Sequence, residues 1–490
     1  MIRRKRYVSK ILNSAFTLGF ILFLGVSPIN SNANENKDTN IPVQKAIVSL
    51  KLDQTTNINY NSVKDDDISY YSKDLKVASI DSEGNITANM IGSTTIVGQD
   101  DDGDISETIV IVYRTLLDPL GEIEEPRYTL KDGIYVNESA EKTDEALLMF
   151  TGDLMSQGRQ QLAAKTEDGT YDFNESFSMV KDIFAQGDFV VGNLETLLSN
   201  TSPYMSEEKA LGGQPHCNAP STYLDALKYA GFDALVNSNN HITDNGERGI
   251  IQTLDLLEKY KFAYTGSFRN KDEQRFIIAD INGIKVAIMS YSEKFNGKDV
   301  YLDEDVRETM INRYTKEALE KDVKDAKEMG AEYIIAYNHW GVEYTNEYNE
   351  KQEISATEMA NAGVDLILGS HPHALQTSEI INTEDGREVQ VIYSLGNFIS
   401  HMYRPISNDT YILTVTLKRA EDGSVYMADE GYIPCYVYEE YNNIPYLVVP
   451  ISKDFNGGIE DQGLNESIAR IRSVVNGTIP EVTSYDELIN

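Results

Sequence analysis

Six short apolar runs in this chain end on residues able to bind or activate small ions. Leu147-Leu148-Met149-Phe150 runs into Thr151-Gly152-Asp153, Phe189-Val190-Val191 into Gly192-Asn193-Leu194-Glu195, and Ala234-Leu235-Val236 into Asn237-Ser238-Asn239-Asn240-His241. Tyr333-Ile334-Ile335-Ala336-Tyr337 runs into Asn338-His339, and Val364-Asp365-Leu366-Ile367-Leu368 into Gly369-Ser370-His371-Pro372-His373. The sixth, Val389-Gln390-Val391-Ile392-Tyr393, runs into Ser394-Leu395-Gly396-Asn397. The chain has only 6 His, and four of them, His241, His339, His371 and His373, fall at these ends. One His after a strand is ordinarily a hydrogen-bonded structural residue; four, with two carboxylates and an Asn, match what metal coordination requires. Imidazole, carboxylate and amide oxygen together suit a borderline divalent ion of the Mn, Fe or Zn class better than Mg²⁺ or Ca²⁺. So many ligands exceed one tetrahedral site. They suit two ions that share a carboxylate about 3.5–4 Å apart, activate a water and clamp the oxygens of an in-line displacement at phosphorus.

These residues can meet only if the elements bring them to one edge. Strand-length apolar runs alternate with helical-period segments from residue 146 onward, which predicts an α/β domain over 146–405. In such sheets ligands bind beyond the carboxyl ends of the strands, where side chains distant in sequence converge. Residues 406–490 read as strands around Tyr411 to Leu417, Tyr432 to Tyr438 and Tyr446 to Ile451, then a helix from Asn465 to Val475, completing the domain. Pro434 and Pro450 place the last two strands at sheet edges. Ahead of this domain, residues 45–113 hold short Val-, Ile-, Thr- and Tyr-rich runs separated by turn residues, the pattern of a small β-sandwich without visible chemistry. Residues 34–44 and 114–145 read as linkers, the second acidic.

Thr151-Gly152-Asp153-Leu154-Met155 with Arg159, Gly192-Asn193-Leu194-Glu195 and Asn239-Asn240-His241-Ile242-Thr243-Asp244-Asn245-Gly246 follow one another in the chain. His339-Trp340-Gly341-Val342-Glu343-Tyr344, Gly369-Ser370-His371-Pro372-His373 and Ser394-Leu395-Gly396-Asn397-Phe398 come after them. In these motifs and their order the chain resembles the CapA family of poly-γ-glutamate capsule biosynthesis, within the calcineurin-like metallophosphatase superfamily. The resemblance implies a sandwich of two mixed β-sheets flanked by helices. It implies Asp153 and His373 on a first ion, Asn240, His339 and His371 on a second, Glu195 bridging, and His241 as substrate contact and proton donor. It also implies work on an anionic substrate or polymer, poly-γ-glutamate, beside membrane-bound capsule synthesis partners. The superfamily's usual Asp-x-His opening is broken at Met155, a poor ligand for such ions; His216, Glu343 and Asn397 are the candidate substitutes. Arg159 is read either as an anion contact or as an ion-pair partner, and Glu343 as a contact to substrate or to a ligand. Leu75 to Asp81, Gly84 to Ala88 and Gly92 to Val97 resemble the bacterial group 2 immunoglobulin-like domain, usually a spacer or adhesion module.

The chain has 490 residues, 78 acidic against 43 basic side chains, and a net charge of −35. That balance argues against nucleic acid, whose phosphates need clustered Lys and Arg. Residues 1–33 read as an export signal or N-terminal anchor, with Arg3, Arg4, Lys5, Arg6 and Lys10 ahead of the apolar stretch Ile11 to Val26. The expected location is extracellular or cell-surface, and loss of that segment, with five basic and no acidic residues, leaves −40. The 2 Cys, Cys217 and Cys435, allow at most one disulfide, and Cys217 and His216 read as an incidental pair in a rim loop. His401 reads as a rim residue and Trp340 as a packing wedge. Two functions compete for the same site: a metal-dependent phosphoesterase-like hydrolase, and a non-catalytic accessory that holds polyglutamate through its metals.

Overall fold

The computed structural model describes residues 44–58, 68–100, 105–113, 117–167, 169–198 and 217–489. The expected export segment, the linker residues 34–43 and His216 lie outside them. Among the described residues, no helix is long and apolar enough to cross a membrane.

The N-terminal unit is a two-sheet sandwich. One sheet orders Gln44–Lys51, Ile105–Tyr113, Gly92–Gln99 and Ser69–Ser72; the other orders Thr55–Asn57, Asn85–Ala88 and Ala78–Ile80. Alternate residues such as Ile86, Ala88, Val110 and Val112 point into a shared core, the period-2 burial expected of paired sheets.

The larger unit packs two mixed sheets face to face. The first orders Ala263–Thr265, Ala234–Val236, Phe189–Leu194, Glu145–Leu154, Asp409–Arg419, Val425–Tyr441 and Ile444–Pro450. The second orders Leu375–Asn382, Glu388–Leu395, Leu366–Ser370, Tyr333–His339, Ile284–Ser292, Ile277–Ile281, Ile134–Val136 and Thr129–Lys131. Leu148, Phe150, Val191, Ile335, Tyr337 and Leu368 fill the space between the sheets. Their chain neighbours Met149 and Val190 turn outward to Tyr223, Leu227 and Leu257 of the helices Thr222–Ala230 and Gly246–Lys259. Ile334, Ala336 and Ile367 turn outward on the other side, to Leu319, Val323, Met359 and Ala360 of Lys316–Glu328 and Glu350–Ala362. Strands buried on both faces explain the continuous apolar runs. The last helix starts in a capping box between Asn349 and Gln352 and stops at Gly363, where φ is 107°.

The second-sheet edge strands Thr129–Lys131 and Ile134–Val136 fall inside the segment read as an acidic linker. Three residues each are too few for a visible alternation, and pairing of Tyr135 with Ala279 sets them. Pro450 sits on an edge strand, but Pro434 does not: Val425–Tyr441 is paired on both sides. Pairing with Ile444–Pro450 ends at Cys435, one residue away, and the Pro434 carbonyl accepts from Ile451 N beyond that end. The proline therefore removes a donor only where its neighbour strand has run out. The C-terminal helix spans Gln462–Val475, starting on the Asp461 cap.

Candidate metal centre

Three of the six apolar runs lie in each sheet, and within each sheet those strands are parallel neighbours. The two sets of carboxyl ends meet at one edge of the sandwich. The first sheet delivers Asp153, Glu195, Asn240 and His241; the second delivers His339, His371 and His373, all buried.

Close backbone approach seats Asp153. The register of its strand shifts between Phe150 and Asp153, and Asp153 N donates to Gly396 O at 2.9 Å. A Cβ on Gly152 would lie 2.0 Å from Gly396 O, so only glycine permits this crossing. Asp153 then pairs with both Asn193 and Asn397. Its Oδ1 accepts from Asn193 Nδ2 at 2.7 Å, and its Oδ2 lies 3.4 Å from His373 Nδ1.

Glu195 is fully buried, and among the described residues neither carboxylate oxygen has a hydrogen-bond partner. Three imidazoles face its Oε1: His339 Nε2 at 3.5 Å, His373 Nε2 at 3.8 Å and His241 Nε2 at 4.0 Å. Two sets of groups converge closely enough to hold an ion, Glu195 with His371 and His373, and Asp153 with Glu195 and His339. An orphaned buried carboxylate is costly unless a cation completes it. Burial first, and then the nearby Asp153 carboxylate, push the Glu195 carboxyl well above its ordinary range. This donor set fits divalent ions.

The imidazoles are oriented from behind. His339 Nδ1 lies 2.9 Å from Ser370 Oγ, turning Nε2 toward Asn240 Oδ1 at 3.2 Å. His373 Nδ1 lies 2.8 Å from Asn397 Oδ1. Such outer partners fix which ring nitrogen faces the centre. His371 and His373 flank Pro372 with φ of 93° and 52°, strain of order 1–3 kcal/mol each that clusters at functional sites. Burial, and then the neighbouring imidazoles, hold His339 and His371 well below the usual imidazole range, so both are neutral ligand forms. Burial opposes charge on His373 as well, but Asp153 outweighs it and lifts that pKa.

His241 stands at the mouth. Its Nδ1 lies 2.8 Å from Asp244 Oδ2, whose other oxygen pairs with Lys298 at 2.5 Å. Burial alone would raise the Asp244 carboxyl, but His241 and Lys298 hold it below its usual range.

Several expectations change here. Asp244 orients His241. Cys217, read as an incidental rim thiol, is buried, with Sγ 3.7 Å from His241 Nε2 and Met155 and Met402 packed around it. Both cysteines are free and sit in different core clusters, so they form no disulfide. Asn397 braces His373. Glu343 is exposed, within electrostatic reach of Glu195 and His373. Among the described residues no hydrogen bond or ion pair joins Arg159 to the seven residues above. It shares a cleft with Glu439, Glu440 and Tyr446, near His401, which is nine-tenths buried and bonded to Tyr446 rather than a rim residue. Trp340 packs in the core and donates Nε1–H to Tyr393 O at 2.9 Å. Lys294, which no spacing marked, donates to Gly341 O and lies 3.3 Å from His371 Nε2.

The chain is similar to several known proteins. Capsule biosynthesis protein CapA of Bacillus anthracis is 28% identical over 298 residues, covering 58% of this chain and 69% of that protein. PGA biosynthesis protein CapA of Bacillus subtilis is 27% identical over 283 residues, covering 56% and 68%. Among solved structures, the calcineurin-like phosphoesterase YfkN of Bacillus subtilis overlaps 67% of this chain and 97% of its own at 14% identity, with a TM-score of only 0.36. The profile of the group 2 bacterial Ig-like domain matches residues 39–111. The profile described as bacterial capsule synthesis protein PGA_cap matches residues 147–402, more than half of the chain, and the chain belongs to that family.

Proposed function

We propose that this chain is an exported, metal-dependent hydrolase of the phosphoesterase type that acts in capsule poly-γ-glutamate biosynthesis or export. The observation that carries the reading is Glu195: a fully buried carboxylate whose oxygens have no hydrogen-bond partner among the described residues, ringed by imidazoles. The family resemblance would put Asp153 and His373 on one ion, Asn240, His339 and His371 on a second and Glu195 on both, whereas the side chains as placed gather Glu195 with His371 and His373, and Asp153 and Glu195 with His339. Such a pair, of the Mn, Fe or Zn class, supplies a nucleophilic water and neutralises charge in an in-line displacement at phosphorus. The chain's own residues do the rest. Ser370 and Asn397 hold the imidazoles of His339 and His373 in register. Asp244 fixes His241 with Nε2 toward the centre, where it can hand a proton to the leaving oxygen. Glu343, exposed on the same segment as His339, would meet a substrate group, and Arg159 makes no hydrogen bond or ion pair with these residues among the described ones.

A second reading, a non-catalytic accessory that binds polyglutamate through its metals, is favoured by Met155. It sits where a further imidazole would complete the first ion, buried against Cys217 and Met402, and a thioether is a weak ligand for these ions. Metal analysis of the purified chain, with hydrolysis of a generic phosphodiester and of polyglutamate under Mn²⁺, Fe²⁺ and Zn²⁺, separates the two. Bound metal without turnover of either substrate would sink the hydrolase. Unchanged metal content in His371→Ala would sink the ligand assignment.

A further inference from the structure

We infer that Lys294 and Arg404 form a two-point cationic clamp at the mouth of the metal centre, built to hold two carboxylates of one polyanionic chain. The inference rests on the polyglutamate reading above. Lys294 follows the strand Ile284–Ser292. Its ammonium is tied to Gly341 O and to His371 Nε2, and to no carboxylate among the described residues. Arg404 is exposed, with its guanidinium 4.4 Å from the centre of the Tyr344 ring. It too makes no ion pair among the described residues. Tyr344 is itself part of the site: its N donates to Pro372 O at 2.6 Å, between the two histidines, and its ring lies 5.8 Å from that of His373. Both cations are thus mounted on one short segment, Lys294 on the carbonyl of Gly341 and Arg404 on the ring of Tyr344. Three peptide units separate those residues, about 10 Å at full extension. In a chain of net charge −35, two cations anchored on one short segment with no ion pair among the described residues are out of keeping with the surface.

Donor and acceptor counting shows what Lys294 is for. An ammonium only donates, so its bond to His371 requires a lone pair on that imidazole nitrogen. An imidazole bound to an ion through one nitrogen carries its proton on the other. Whichever nitrogen of His371 faces the ion, none is left to accept from Lys294. Ion binding therefore releases the ammonium, leaving it bonded to Gly341 O with spare N–H groups beside further positive charge. That arrangement is unfavourable until an anion enters. Arg404 then offers a flat, stacked guanidinium whose edges suit a second carboxylate. A γ-linked glutamate chain carries one carboxylate per short backbone repeat and can present one to each cation. Glu343, exposed on the same segment, subtracts from the local field, so binding depends directly on the two cations.

The test uses the full chain loaded with Mn²⁺, and Lys294→Met, Lys294→Arg and Arg404→Gln. Calorimetry measures binding of poly-γ-glutamate and of inorganic phosphate, while metal content and circular dichroism are checked on every variant. A charge-assisted contact is worth enough that each loss should weaken polymer binding about tenfold or more. Lys294→Met is expected to weaken both ligands, Arg404→Gln the polymer alone, and Lys294→Arg to keep most of the affinity. Polymer affinity unchanged in both charge-removing variants, with metal retained, overturns the clamp while leaving the polyglutamate reading intact. A wild type that binds phosphate but no polymer overturns the polyglutamate reading and the clamp's occupant with it.

Discussion

Replacing Glu195 with Gln should change the sign of the stability effect according to whether metal is present. In metal-free protein the wild-type carboxylate is buried with no hydrogen-bond partner for either oxygen among the described residues, and an unmet buried acceptor costs about 1–3 kcal/mol. Glutamine keeps the shape, removes the charge and offers an N–H₂ toward the Asp153 carboxylate. In chelator, Glu195→Gln is therefore expected to be more stable than wild type by roughly 1–3 kcal/mol at pH 8. The pH dependence carries the same signature. The folded-state pKa of Glu195 lies well above its ordinary 4.5, because of burial first and Asp153 second. The native state then binds more protons than the unfolded chain, so metal-free wild type loses stability as pH rises above that ordinary value, and the Gln variant lacks this slope. With metal the order reverses. A ligand at 100 times its Kd stabilises by about 2.7 kcal/mol per ion, or about 5 °C in Tm at about 2 °C per kcal/mol for a large domain. Wild type should gain this for each ion bound; the variant, lacking the shared ligand, should gain little. Differential scanning calorimetry in chelator and in excess Mn²⁺ reads both halves. A variant that gains as much Tm from Mn²⁺ as wild type would refute the placement of Glu195 between two ions, and one less stable than wild type in chelator would refute the account of its burial.

Three further outcomes follow from the same geometry. Asp244→Asn should leave metal content unchanged but slow phosphodiester turnover about 10²-fold, with a smaller loss for a nitrophenolate leaving group, which needs no proton; an equal loss for both would refute the proton-donor role of His241. Glu430→Gln should raise thermal stability at pH 8 and have little effect at pH 5. Burial, and next Asp429, push the Glu430 carboxyl up to about 7, so its native state loses stability as pH rises from about 4.5 to 7, worth about 1 kcal/mol once its partial exposure is discounted. Gly152→Ala should destabilise by about 3 kcal/mol, since the new methyl would overlap the Gly396 carbonyl; denaturant midpoints unchanged by the substitution would show that the crossing is not tight.

The seven inward residues were legible because strand periodicity marks where a buried parallel strand ends, and a polar or charged residue there is out of place unless a ligand requires it. Asn240, His241 and His339 need only that rule. Residues whose roles depend on contacts between elements were hidden. Lys294 lies in Ser292-Glu293-Lys294, a sequence with no spacing to notice, and reaches His371 only because their strands lie in the same sheet. Cys217 carries no ligand spacing, and only packing against Met155 brings its sulfur to His241. Pro434 misled because the edge rule concerns a missing donor, and the structure supplies a place where none is needed.

Sequence alone determined the chemical inventory: four of six histidines, two carboxylates and an amide at strand ends, on an acidic chain with a separate β-sandwich ahead. These follow from residue type and period, which are local. Tertiary structure decided the rest. The first sheet brings the carboxylates and the second brings most of the imidazoles, and they meet because Gly152 lets one backbone cross another. The same packing put Arg159 in a cleft with Glu439, Glu440 and Tyr446, set Lys294 beside His371 and Arg404 over Tyr344, and buried Glu195 with no hydrogen-bond partner among the described residues. Distances between elements depend on how whole sheets pack, and no run of neighbouring residues encodes them.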